Sequence, residues 1–153
     1  MKNLKSILIG IALLTPTLSF AEPPELGKYP EVYEGSDYVI TLLRLGEKEK
    51  KTVLIKVDGI DNDFDGQIYL HTKKCDNRPC TAFKYETKEI PGKKKWATIQ
   101  TTSSWGSQNN LIMYPPGINT KSSIYKVKRP KGFDSQKFYD EYQGQKAIRK
   151  KSN

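Results

Sequence analysis

From Tyr38 to Lys128 the chain alternates short β-favouring runs with clusters of Gly, Pro, Asn, Asp and Ser. That rhythm is the signature of short strands joined by tight connections. The runs are residues 38–45, 52–57, 66–74, 81–90, 96–102, 111–114 and 123–128. Within them Val53, Ile55 and Val57 share one face, as do Ile68 and Leu70, while Phe83 and Tyr85 oppose Lys84, Glu86 and Lys88. Residues 37–44 (DYVITLLR) could open a capped helix, but Tyr, Val, Ile and Thr favour a strand. No β/α alternation points to a parallel sheet, and no internal repeat is visible. The expected fold is mainly β: a small antiparallel sandwich or barrel of about seven short strands with a C-terminal helix and basic tail.

Four segments follow from this reading. Residues 1–21 have a cationic start (Lys2, Lys5), an apolar run (SILIGIALL), Pro16 and small residues at Ser19 and Ala21. This is the pattern of a secretory signal peptide cleaved near Ala21, and the apolar run is shorter than the ~20 residues of a spanning helix. Residues 22–35 read as an extended Pro-rich lead-in, 36–131 as the β domain, and 132–153 as the helix and tail. Asp134 or Ser135 would cap the helix, Phe138 and Tyr142 would share its docking face, and Gly144 would stop it. Residues 145–153 are expected to fray. The product is expected to be periplasmic or secreted.

The formal charge of +9 is unevenly spread. Residues 22–120 carry 14 basic and 14 acidic side chains, whereas residues 121–153 carry 10 basic and 3 acidic ones. A neutral body with a basic C-terminal segment is therefore expected. Export also decides the cysteines: Cys75 and Cys80 should form a disulfide that staples a hairpin turn. Their spacing does not suit a redox-active pair.

Three places invite chemistry. Asp61, Asp63 and Asp65, followed by Gly66, begin like a calcium loop, but Thr72 stands where the bidentate glutamate belongs. An acidic hairpin turn is the competing reading. His71 is the only histidine, with no recognisable nucleophile motif near it, so an exposed strand residue is expected. Trp105 with Gln108 and Asn109, the run Lys93, Lys94 and Lys95 before Trp96, and Arg78 in the cysteine loop are the candidate binding residues.

No constellation makes a convincing catalyst, and no cofactor is expected beyond the calcium alternative. The leading expectation is an exported, non-catalytic protein that binds another envelope or secreted protein, as an inhibitor or immunity-type protein would. The alternatives are a calcium-assisted module for anionic glycan or lipid headgroups, and a small hydrolase using His71. Nucleic acid is the least expected partner, and no transmembrane segment is expected in the mature chain.

Overall fold

The computed structural model describes residues 22–102, 110–118, 120–128 and 130–152. Residues 1–21, expected from the sequence to be a signal peptide, lie outside these residues. Among them, eight strands form a closed antiparallel barrel in simple sequential order. These are β1 (Glu31–Glu34), β2 (Val39–Leu45), β3 (Thr52–Asp58), β4 (Ile68–Cys75), β5 (Phe83–Thr87), β6 (Trp96–Thr102), β7 (Asn110–Met113) and β8 (Ser122–Lys126). One helix, α1 (Ser135–Lys151), follows.

Each of the seven sequence runs overlaps one of the strands β2 to β8, and within the ambiguous segment 37–44 the residues from Val39 onward do form strand. The eighth strand, β1, falls inside the segment expected to be an extended lead-in. Its four residues, Glu-Val-Tyr-Glu, are too few to show a period, and both partners are supplied by tertiary structure. It pairs with β2 through Glu31–Leu42 to Glu34–Val39, and with β8 through Tyr33–Lys126 and Glu34–Tyr125. This strand makes the sheet a barrel and not a sandwich.

Period-two alternation divides the apolar residues between two cores. Inside the barrel are Ile40 and Leu42, then Val53, Ile55 and Val57, then Tyr85, Ile99, Met113 and Ile124. Outside it, Leu43, Leu54 and Ile68 form a patch covered by Phe138 and Tyr142 of α1. Asp134 caps the helix by accepting a hydrogen bond from the Lys137 N–H at 2.9 Å. The two aromatic residues four apart do dock onto the barrel.

The helix does not stop at Gly144, nor do residues 145–151 fray. The helix runs on to Lys151, where Arg149, Lys150 and Lys151 complement its negative end. A glycine inside a helix costs about 1 kcal/mol relative to alanine, and tertiary bonds offset that here. β5 pairs with β4 only from Thr72 to Cys75, so the first half of β4 has no strand on that edge. Side chains take its place. Ile68 N–H donates to Gln145 Oε1 at 2.7 Å, and Arg149 Nη2 donates to the Ile68 carbonyl at 2.9 Å. Leu70 N–H donates to Glu89 Oε2 at 2.9 Å. Glu89 in turn accepts from Tyr142 Oη at 2.8 Å and pairs with Lys146 at 3.1 Å. The end of the helix therefore completes a sheet edge that would otherwise bury unpaired backbone groups.

Truncating the chain after Gly144 should consequently destabilise the fold by about 2–4 kcal/mol, the worth of two or three well-placed hydrogen bonds and an ion pair. Urea unfolding of residues 22–144 and of residues 22–153 measures this; equal midpoints would contradict it.

A cationic mouth as the candidate functional site

At one end of the barrel β2 turns into β3, β4 turns into β5, β6 ends, β7 begins, and β1 enters. A cavity of about 610 Å³ opens there. Its floor is apolar, made by Leu42, Val53 and Tyr85, because these face inward along their strands. An eight-stranded barrel is just wide enough either to fill itself with side chains or to hold one small ligand. This barrel does the first below the floor and leaves room for the second above it.

Five basic side chains line the cavity: Lys28, Arg44, Lys48, Lys51 and Lys73, against the single carboxylate of Glu31. The lead-in supplies the Lys28 wall. Leu26 bridges Leu45, and the Gly27 N–H donates to the Arg44 carbonyl at 2.9 Å. A Cβ at Gly27 would stand 3.1 Å from the Arg44 Cβ, so glycine permits this close approach. The helix holds the same segment from the other side, with Ser135 Oγ donating to the Gly27 carbonyl at 2.7 Å.

The charges are unequally satisfied. Arg44 pairs with Glu25 at 2.5 Å and also donates to the Gly46 carbonyl. Glu31 accepts from Lys126 Nζ and from Tyr33 Oη, each at 2.8 Å. Burial works to raise the Glu31 carboxyl, but these two hydrogen bonds and the charges of Lys126 and Lys73 hold it below the usual value. Tyr33 is pushed up by burial and by its bond to Glu31, and Tyr85 is pushed up to about 12 by burial and the Glu31 charge. Lys73 differs from both Arg44 and Glu31. Among the described residues it makes no ion pair; its ammonium lies 3.7 Å from the centroid of the Phe83 ring and 5.9 Å from that of Tyr85. Burial lowers its affinity for the proton, with Glu31 opposing that shift and Lys51 adding to it.

His71 is the cross-strand partner of Val53 in this floor but does not itself line the cavity. It faces inward as alternation from Leu70 requires, but it is buried at 1% exposure, not exposed as the sequence suggested. Nothing in the local pattern reports that the inner face of β4 is sealed by β6. The Nδ1–H donates to the Tyr69 carbonyl at 2.9 Å, so the neutral ring accepts from Thr98 Oγ1 at Nε2, 2.7 Å away. Burial lowers its pKa to about 4, partly opposed by the Tyr69 carbonyl and the Glu89 charge.

The other sequence-derived residues scatter. Cys75 and Cys80 form the disulfide and sit on the rim of the cavity, with Cα atoms 5.1 Å apart. Arg78 is exposed on the same hairpin. Trp105, Gln108 and Asn109 lie outside the described residues; the strand ends that flank them, in β6 and β7, are at this end. Lys93, Lys94 and Lys95 are exposed in the β5–β6 turn at the opposite end, where Lys93 lies 5.5 Å from the Trp96 ring. The Trp96 indole N–H donates to the Tyr114 carbonyl at 3.1 Å.

Asp61, Asp63 and Asp65 also lie at that far end. Asp65 Oδ1 accepts from the Gly59 and Ile60 N–H groups at 2.6 and 3.1 Å, closing the β3–β4 turn. Gly66, at φ +67°, then returns the chain to β4. No set of three or more His, Cys, Asp or Glu side chains is placed to hold a metal ion among the described residues.

The sequence pattern did not mark the cavity residues. Lys28, Arg44, Lys51 and Lys73 are spread over 46 positions and carry no common spacing, though Arg44 and Lys73 do occupy inward positions in their strands.

Fold and site together define a small closed β-barrel with one open, cation-lined mouth. No protein-family model matches the chain, and neither a curated protein nor a solved structure matches it. The disulfide, and the lack of any helix long and apolar enough to cross a membrane among the described residues, are compatible with a periplasmic or extracellular location.

His71 makes the barrel acid-sensitive. Its folded pKa of about 4 lies below the ordinary 6.5, so the unfolded chain binds the extra proton between those values. Stability is then full above pH 6.5 and falls as the pH drops towards 4, by about 3 kcal/mol for this group. Urea midpoints across that window should drop more steeply in the wild type than in His71→Gln; parallel curves would refute the assignment.

Proposed function

We propose that this protein is an exported, non-catalytic binding protein whose working part is the mouth of the barrel, and that it takes a small anionic ligand there. The observation that carries this reading is the ring of basic side chains around a cavity with an apolar floor. Open barrel mouths with a few convergent polar groups are common small-molecule sites. The cavity volume lies within the range of such pockets, about 300–1,000 Å³. The sole histidine supports binding over catalysis, since both of its ring nitrogens are engaged by Tyr69 and Thr98 and it does not line the cavity.

A second reading is the one the sequence favoured, a protein partner such as an envelope-acting enzyme. The observation in its favour is that the stapled hairpin with Arg78 shares its end of the barrel with the strand ends bordering the Trp105 segment. In that case an acidic side chain of the partner would enter the same mouth, and the rim lysines would speed its association.

The test is titration of the mature chain with 1-anilinonaphthalene-8-sulfonate, an anionic aromatic probe, followed by fluorescence. Saturable one-to-one binding is expected, weakening as salt rises from about 0.05 to about 0.5 M. Lys73→Glu should weaken it by about tenfold or more, whereas Lys94→Glu at the far end should leave it unchanged. Equal affinities in both variants would place the probe elsewhere and defeat the proposal.

A further inference from the structure

Resting on the mouth as the binding site, we propose that its ligand is a compact acid: one carboxylate on a single ring or short apolar chain, entering apolar end first, with the Lys73 ammonium meeting the carboxylate.

The depth of the cavity sets the size. Immediately below Leu42, Val53 and Tyr85 the barrel is filled by Ile40, Ile55, Ile99 and Met113, all essentially without solvent exposure. A long acyl chain would have to displace these close-packed residues, and cores resist added volume. What remains is a layer about two or three strand residues deep, roughly 7–10 Å at the strand rise.

The polarity of the walls sets the orientation. The buried polar side chains around the floor are already engaged: His71, opposite Val53, has both nitrogens bonded, one of them to Thr98. Thr87 and Thr101 accept from the Glu89 and Phe83 N–H groups, and no buried side-chain N or O lacks a partner among the described residues. Nothing at the bottom therefore asks for a polar ligand atom, while three apolar side chains offer contact. The charged group belongs at the Lys73 ammonium, on the inward position of β4 one step nearer the mouth than His71 and opposite Tyr85.

The charge balance sets the sign and points to one group. Glu31 is already held by Lys126 and Tyr33, and Arg44 by Glu25. Lys73 is the half-buried cation without an ion pair among the described residues, and its ammonium rests on the Phe83 ring. A carboxylate there would relieve the cost of a partly desolvated, unpaired charge. Lys28, Lys48 and Lys51 lie nearer the rim, where solvent screens them, and would add mainly to the rate of capture.

The experiment is isothermal calorimetry of the mature chain with 3-phenylpropionate, octanoate, palmitate and 3-phenylpropanol. The 1-anilinonaphthalene-8-sulfonate titration runs in parallel as a control for the mouth itself. The two short acids should bind one-to-one, and the alcohol should bind about tenfold more weakly or worse, given the worth of a charge-assisted bond. Palmitate should bind no more tightly than octanoate. Lys73→Met should weaken the acids by about tenfold and leave the alcohol unchanged, whereas Lys48→Met should alter the acids by about threefold at most. Circular dichroism of both variants checks that they fold, and the unchanged alcohol affinity shows that the floor is intact. Palmitate binding more than tenfold tighter than octanoate, or acids indifferent to Lys73→Met, would overturn the proposal. Probe binding without any short-acid binding overturns it while sparing the mouth as a site. Failure of probe and acids together removes the site as well.

Discussion

Two residue pairs, Tyr33 with Lys126 and Glu34 with Tyr125, close the ring of strands, helped by the Val127 N–H bonded to the Val32 carbonyl at 2.9 Å. Everything else in the molecule depends on this closure. Without it β1 and β8 would be open edges, a feature that proteins must otherwise cover or blunt. With it the inward-facing residues of all eight strands share one interior. Ile124 on β8 can pack in the same cluster as Val53 on β3. Closure also brings Lys126 against Glu31, which neutralises the one carboxylate of the mouth and leaves Lys73 unpaired among the described residues.

The barrel is less regular than its strand order implies. β4 and β5 separate beyond Thr72, and the gap is bridged from outside by Gln145, Arg149 and Glu89. The basic character of the last residues thus has a structural use that the charge count alone does not suggest. Arg149 donates to the backbone of Ile68 and to Gln67 while lying 4.6 Å from the Tyr69 ring. Lys146 is engaged by Glu89 and Tyr142. The tail that looked like an electrostatic appendage is in part a plug, and only some of its cations remain for solvent.

The neutral body conceals a similar rearrangement. Its 14 basic and 14 acidic residues cancel in a sum but not in space. Asp58, Asp61, Asp63 and Asp65 stand with Glu34 and Asp37 at one end, on and beside the β3–β4 and β1–β2 connections, where Lys93, Lys94 and Lys95 of the β5–β6 turn also lie. The mouth at the other end is lined by five cations and one acid. A surface field arises from arrangement, so a chain segment with no net charge can still present an electropositive opening.

Strand positions were legible because period-two alternation and turn residues are local properties. Val53, Ile55 and Val57 announce their shared face, and Pro91-Gly92 announces a turn, whatever the rest of the chain does. The helix cap at Asp134 and the docking pair Phe138 and Tyr142 were legible for the same reason. The disulfide between Cys75 and Cys80 followed from having two cysteines and an export signature. What the sequence by itself determined is therefore a β protein with a stapled hairpin and a docked helix. The tertiary structure alone decided the barrel, the burial of His71, the continuation of α1 past Gly144 and the mouth. Each of these rests on contacts between residues far apart in the chain, such as Glu31 with Lys126 or Ile68 with Arg149, and no local pattern encodes a partner so distant.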